Sequence, residues 1–305
     1  MLEQRNERTD IHELAIEAVP PSPSDWHERY AWLKTTALFS AERGYWLRNA
    51  QQPALSPPLE HLFARPQLLA MLTDAEADPA TARTAYENWK LKVRRLYNGS
   101  MWLENDTGVQ ANTRDQLLAV WLERTIAPMA ANERLTRLKQ MKFFDPQRQE
   151  WLPHDVETTR LEDVPRRTVD QLLGILVDSL TPEEARMRYE ALVAAGYFDH
   201  GGRHWREQIT GERESSGNYS LESGLMAVIV QCRFSPTDAR HQFLALREEY
   251  FSVTHDHWMT SSMETGTLVA EIEFFALLAE AELERAEAAA DQHAIDALPT
   301  ILTLN

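Results

Sequence analysis

The sequence predicts an all-α protein of five tandem helical hairpins, each about 50 residues long. Three observations carry that expectation. An aromatic residue stands seven positions before a tryptophan at Phe39 and Trp46, Phe144 and Trp151, Phe198 and Trp205, and Phe251 and Trp258, with a shortened copy at Tyr97 and Trp102. Helix-start signals recur at Ser22-Pro23, Asp78-Pro79, Asn132, Thr181-Pro182 and Ser235-Pro236, at intervals of 56, 54, 49 and 54 residues. Between them an amphipathic apolar pattern alternates with one that is apolar nearly all round. A fixed period of this length is the mark of a repeat architecture.

Residues 1–21 read as an N-terminal helix and a proline-rich linker, with Ile11, Leu14, Ala15 and Ala18 on one face and Pro20 and Pro21 ending the pattern. A single helical-repeat domain then spans 22–290, with repeats starting near 22, 78, 132, 181 and 235. Each opens on a residue whose side chain accepts from a free first-turn amide, and a following proline has no amide to leave unpaired. The helices that follow are charged and amphipathic, as in Arg186 to Val193 and Arg240 to Arg247, and each runs to the aromatic of the spacing motif. A polar loop carries the tryptophan. Thr113, Thr168 and Ser220 then read as caps of a second, more apolar set of helices, typified by Gln116 to Leu122, Gln171 to Val177, Leu225 to Val230 and Phe274 to Leu278, with Gln67 to Leu72 as the first copy. A helix apolar over most of its circumference must be surrounded by protein, whereas one with a charged stripe faces water. The second set is therefore expected inside and the first outside. Residues 291–305 read as a C-terminal tail, strand-like over 298–304.

Five such pairs either close into an α/α toroid or form an open α-solenoid, and the contrast between inner and outer helices favours the toroid. Residues 9–19 and 291–298 are candidates for a sixth pair completing the ring. The segments Phe144-Asp145-Pro146-Gln147-Arg148-Gln149-Glu150-Trp151 and Phe198-Asp199-His200-Gly201-Gly202-Arg203-His204-Trp205 have an aromatic-acidic-tryptophan loop style. In this the chain, over about residues 22–285, resembles the six-hairpin glycosidases and polysaccharide lyases of α/α-toroid architecture. The resemblance implies an active cleft at one end of the inner helices. It carries over no catalytic residue.

A net charge of −16 with five lysines excludes the basic footprint that nucleic acids and anionic membranes require. The single cysteine, Cys232, excludes a disulfide framework, and its apolar setting makes it a buried thiol rather than a nucleophile. The first residues have no apolar signal core, and no run of about 18 apolar residues occurs, so the expected location is the cytoplasm. Phosphate-binding, dinucleotide-binding, serine-elbow and metalloprotease motifs are absent from the sequence. No cofactor is expected. His200, His204, His255, His257 and Asp256 could be drawn together around a metal, but their spacing matches no ligand motif, and no metal site is assigned.

Three carboxylates, Asp115, Asp170 and Glu222, each stand two residues after the expected caps of the inner helices. Two of them could serve as the acid and the base or nucleophile of glycoside cleavage. Their recurrence equally fits acidic residues meeting the positive ends of helix dipoles. The repeated tryptophans offer sugar-stacking platforms or wedges between hairpins. Binding candidates cluster in the third to fifth loops: Trp151, His154 and Asp155; His200, His204, Trp205, Glu212 and Arg213; His255, His257 and Trp258. Polar loops on a rigid scaffold are where binding residues concentrate.

Two functions follow. The first is an acidic helical-repeat protein acting as an interaction or assembly component for a protein partner, a basic one by charge complementarity. The alternative is a carbohydrate-active toroid that hydrolyses or eliminates an oligosaccharide through carboxylates at the inner-helix N-termini. The first is preferred because the recurring acids have an adequate capping explanation.

Overall fold

Ten helices alternate between two layers in the residues that the computed structural model describes, namely 25–42, 44–49, 62–93, 96–99, 101–104, 111–141, 143–154, 164–201, 203–209, 219–259 and 268–296. In chain order they are α1 (Trp26–Leu33), α2 (Ala64–Ala77), α3 (Pro79–Lys92), α4 (Thr113–Ile126), α5 (Pro128–Gln140), α6 (Thr168–Asp178), α7 (Pro182–Ala194), α8 (Leu221–Gln231), α9 (Pro236–Tyr250) and α10 (Ala270–Asp296). The even-numbered helices are the inner set. Helix α2 packs on α4, α4 on α6, α6 on α8 and α8 on α10, and α10 returns to α2. The ring is closed, and the fold is an α/α toroid. Burial follows the layers: every residue of α6 from Thr168 to Val177 is buried, whereas Ala185 alone is buried in α7. The expected sixth pair is not needed, because α10 packs directly against α2 and five inner helices complete the circle. Residues 9–19 lie outside the described residues, and α10 continues through 291–296, where a tail was expected.

The turns from inner to outer helices are built on proline. Pro79, Pro128, Pro182 and Pro236 each open an outer helix, where their missing amide costs nothing. Asp78 accepts from the amides of Ala80 and Thr81, and Thr181 accepts from the amide of Glu184. The expected start at Asn132 is corrected: α5 begins at Pro128 behind Ala127, so the preset φ of proline decides the boundary and Asn132 lies inside the helix. Ser22 and Pro23 lie outside the described residues. Helix α1 begins at Trp26, capped by Asp25, whose carboxylate accepts from the His27 amide at 2.8 Å.

The aromatic-to-tryptophan spacing proves to be a strand pairing. Phe39 faces Trp46, Phe144 faces Trp151, Phe198 faces Trp205 and Phe251 faces Trp258 across two-stranded antiparallel hairpins, and Tyr97 forms a single bridge with Trp102. These segments were expected as plain loops, because two-residue strands are too short to show alternation. The turn position two residues before the tryptophan is left-handed in each full hairpin, with φ of 69° at Gly44, 58° at Gln149, 58° at Arg203 and 52° at Asp256. All five tryptophans are buried: 6 % exposed at Trp46, 0 % at Trp102, 1 % at Trp151, 2 % at Trp205 and 1 % at Trp258. They are wedges, not stacking platforms.

The hairpins also stitch the ring. The first amide of α2 donates to Glu104, that of α4 to Pro153 and that of α6 to Glu207, each a carbonyl in the hairpin region of the next repeat. The first amide of α10 donates to the Arg48 carbonyl of the first hairpin, so the same bond closes the circle.

Two carboxyls further along α10 make stability depend on pH. Burial pushes Glu280 and Glu282 up to about 7, against the pull of Arg29 and Arg247 on the first and of Arg233 on the second. A raised folded-state pKa means that the folded protein holds these protons while the unfolded chain, with pKa near 4.3, has released them. Stability is therefore greatest at mildly acidic pH and falls as pH rises from about 4.5 to 7. The midpoint of thermal unfolding is expected to rise as buffer pH is lowered from 7.5 to 5.5, and a Glu280→Gln/Glu282→Gln variant should lose most of that slope.

Candidate active site at the mouth of the inner ring

The first turns of the five inner helices meet at one end of the ring, and their register decides what faces the centre. Thr113 and Thr168, expected as caps, are instead the first residues of their helices. Asn112 caps α4 by accepting from the Asp115 amide at 2.9 Å, Arg167 precedes α6 with no side-chain cap bond, and Ser220 caps α8 by accepting from the Ser223 amide at 3.2 Å. Asp115 and Asp170 are therefore third residues, whereas Glu222 is a second residue. One position along a helix turns a side chain by about 100°. The supposed equivalence of the three acids is thus corrected, and Glu222 aligns with Arg65, Arg114, Val169 and Glu271.

These second-position residues form a charge network across the mouth. Arg65 of α2 donates from Nε to Asp115 of α4 at 2.9 Å and from its terminal nitrogen to Glu271 of α10 at 2.9 Å. Arg114 of α4 reaches both oxygens of Glu222 of α8 at 2.7 Å and lies 3.4 Å from Asp170 of α6. Two arginines so link all five inner helices. Asp115 and Asp170 are fully buried behind them. Sequence reasoning passed over both arginines, although a signal existed: a cation in a helical first turn opposes the dipole and has to be held by something else.

Burial and pairing pull the carboxyls apart. Desolvation raises Glu222 above the usual carboxylate range despite Arg114, and it raises Asp115 and Asp170 in the same way. For Glu271 burial is outweighed by Arg65 and Arg114, and its carboxyl lies below that range. A cavity of about 370 Å³ opens over this network, lined by Glu222 and Glu271 together with Arg48, Arg65, Arg114, Arg167, Glu207 and Tyr219. Arg167 is half-buried and forms no hydrogen bond or ion pair with a described residue, and Ser223, also in the lining, has a buried hydroxyl with no hydrogen-bond partner.

The loop candidates are dispersed. His154 pairs with Asn112 through a main-chain bridge, and His200 stands edge-on to Phe198 at 5.2 Å in the turn of its hairpin. His255 and His257 lie 5.6 Å apart on the last hairpin, with His257 buried and bonded through Nδ1 to the His255 carbonyl at 2.9 Å. Neither pair lines the mouth cavity. His204 lies 3.8 Å from Glu249 and 4.7 Å from the Tyr219 ring, beside a second cavity that Trp205 also lines. Trp151 and Trp258 are enclosed in the core, where Trp151 packs on Gly174. Asp155, Glu212 and Arg213 lie outside the described residues. Burial pushes the Cys232 thiol up to about 12, which keeps it an unreactive core group.

The fold and the mouth define the chain as an α/α toroid with a charged cavity at the N-terminal ends of its inner helices. No protein-family model and no curated protein matches it. Its fold is similar to that of a GH76 alpha-mannanase of Bacteroides thetaiotaomicron, with a TM-score of 0.51 at 8% identity over 88% of this chain and 96% of that one. It is equally similar to a novel alpha-amylase from Clostridium perfringens, with a TM-score of 0.52 at 9% identity over 88% of this chain and 99% of that one. At such identities the likeness is one of fold. Among the described residues no helix is long and apolar enough to cross a membrane.

Proposed function

We propose that this protein is a cytoplasmic carbohydrate-active enzyme that binds an oligosaccharide at the mouth of the inner ring and hydrolyses it with Glu222 as general acid and Glu271 as base or nucleophile. One observation carries the reading: two carboxyls at the same first-turn position of adjacent helices, Glu222 on α8 and Glu271 on α10, line one cavity. Glycoside cleavage uses two carboxyl groups facing one cleft, one as acid and one as base or nucleophile.

The roles follow from the contacts. Both oxygens of Glu222 accept from Arg114 at 2.7 Å, so one of these contacts opens as the substrate enters, and the released oxygen carries the proton given to the glycosidic oxygen as the bond to the anomeric carbon breaks. Glu271, held ionised by Arg65, takes a proton from the attacking water or attacks the anomeric carbon itself. The Arg167 side chain and the Ser223 hydroxyl, which is buried without a hydrogen-bond partner, face the cavity as donors for sugar hydroxyls. The two similar structures, named for an alpha-mannanase and an alpha-amylase, support a glycan ligand in this fold.

The preference for a protein-interaction role rested on Asp115, Asp170 and Glu222 being equivalent helix caps. Glu222 stands one position out of that set and faces the cavity, so a shared capping role does not account for all three acids. The test is reducing-end release from α-mannan, starch and a wider glycan panel by the wild type, Glu222→Gln and Glu271→Gln. Loss of general acid or base catalysis is expected to lower turnover by about 10²–10⁴-fold in each variant. Full activity in both variants, or no release from any glycan, would overturn the reading.

A further inference from the structure

In four of the five repeats the hairpin tryptophan is clasped by the fourth residue of its inner helix. Gln67 accepts from the Trp46 amide and donates to its carbonyl, and Gln116 and Gln171 do the same for Trp102 and Trp151. Glu273 accepts from the Trp258 amide at 2.7 Å. The fourth residue of α8 is Gly224, and the clasp is missing. The Trp205 carbonyl accepts from the Ser220 amide at 3.0 Å, but among the described residues the Trp205 amide has no hydrogen-bond partner. That amide points away from Phe198, because the bond from the Arg206 amide to the Tyr197 carbonyl makes Phe198 and Trp205 a non-hydrogen-bonded pair.

A cavity of about 210 Å³ opens where the repeat is broken, between Gly224, Trp205, Leu221, Leu246, His204 and Tyr219. Tyr219, Ser220 and Leu221 line both this cavity and the mouth, so the two share a wall. We propose that this cavity is a subsite for the acetamido group of an N-acetylated amino sugar, which rests on the reading of the mouth as a glycan site.

The chemistry follows from what the other repeats place at this point. Each presents a carboxamide or carboxylate oxygen to a tryptophan amide, and the acetamido group carries the same carbonyl oxygen on a short apolar stem. Its carbonyl accepts from the Trp205 amide, and its methyl group is covered by Leu221 and Leu246. A free amine offers donors to a donor, and a hydroxyl leaves the apolar wall uncovered. Discrimination of this kind is strong, since a buried donor built for one acceptor is left unpaired by an analogue that lacks it.

The test uses protein labelled with ¹⁵N-tryptophan, whose nine tryptophan amides are few enough to follow singly. The Trp205 signal is assigned by its loss in Trp205→Phe. On titration with the methyl glycosides of N-acetylglucosamine, glucosamine and glucose, the Trp205 amide is expected to shift with the first, at an affinity at least about 10-fold above that for the other two. A β-carbon at Gly224 would stand 3.1 Å from both Leu246 methyl groups, so Gly224→Gln is paired with Leu246→Ala to make room; the pair restores the clasp of the other repeats and should abolish the response, with circular dichroism confirming that it folds. Leu246→Trp fills the cavity from α9 and should do the same without altering the inner helix. Equal responses to the three sugars, no shift at Trp205, or a response surviving in both filled variants would overturn the subsite. A Trp205 response without any Glu222-dependent cleavage would sink the catalytic reading alone, and cleavage with no acetamido preference would sink the subsite alone.

Discussion

Replacing Arg29 by methionine is expected to destabilise the protein by about 3–5 kcal/mol, because it leaves the buried carboxylate of Glu273 without its partner. Arg29 lies on α1 and donates to Glu273 of α10 at 2.7 Å, with the Arg29 side chain 4 % and that of Glu273 0 % exposed. It also reaches the Asp256 carbonyl at 3.3 Å and stands over the Phe251 ring at 4.9 Å, so one guanidinium ties the first outer helix to the last inner helix and the last hairpin. Methionine keeps most of the apolar volume, which isolates the charge effect from a cavity effect. Glu273 occupies the position that carries glutamine in α2, α4 and α6, and it clasps Trp258 as those glutamines clasp their own tryptophans. Glu273→Gln in the Arg29→Met background should therefore recover most of the loss. Burial already raises the Glu273 carboxyl despite Arg29, and removing Arg29 raises it further. The defect should then shrink as pH falls, since the carboxyl becomes neutral in the folded state. Urea denaturation at pH 7.5 and 5 measures all three effects, and a cost below about 1 kcal/mol, the value of an exposed pair, would refute the argument.

The second large effect is expected at Gly174, where alanine should lower stability by about 3 kcal/mol, against a helix-propensity gain of about 1 kcal/mol at an ordinary site. A β-carbon there would stand 2.1 Å from Nε1 and 2.3 Å from Cδ1 of Trp151, an overlap that no rotamer change of the alanine can relieve. Trp151 is 1 % exposed and held at its main chain by Gln171, so it has little room to retreat. Trp151→Phe removes the pyrrole edge that clashes, and the double variant should be more stable than Gly174→Ala alone. Chemical denaturation with near-ultraviolet circular dichroism reads both the loss and its rescue. Near-neutral behaviour of Gly174→Ala would mean that the hairpin is not wedged against α6 as described.

Much of this molecule was legible in the chain because it is local. Proline behind a polar residue, the charged stripe of the outer helices and the apolar circumference of the inner ones act within a few residues, and they place nearly every helix in the correct layer. Where the signals competed, as between Asn132 and Pro128, the stiffer one prevailed. The tryptophan spacing was visible as a period, but not as a strand pairing, since a two-residue strand has no alternation to read.

The sequence by itself determined the all-α class, the repeated hairpins and the division into inner and outer helices. Tertiary structure alone decided the closure at five and the composition of the mouth. Closure depends on the rotation between packed helices, summed around the ring, and no short window of sequence carries that sum. The mouth depends on register: one residue, about 100° around a helix, separates Glu222 in the cavity from Asp115 and Asp170 buried behind arginines. Arg65 and Arg114 find their carboxylates on other inner helices, 50, 56, 108 and 206 residues away along the chain. Such pairings exist only once the ring has brought the helix ends together.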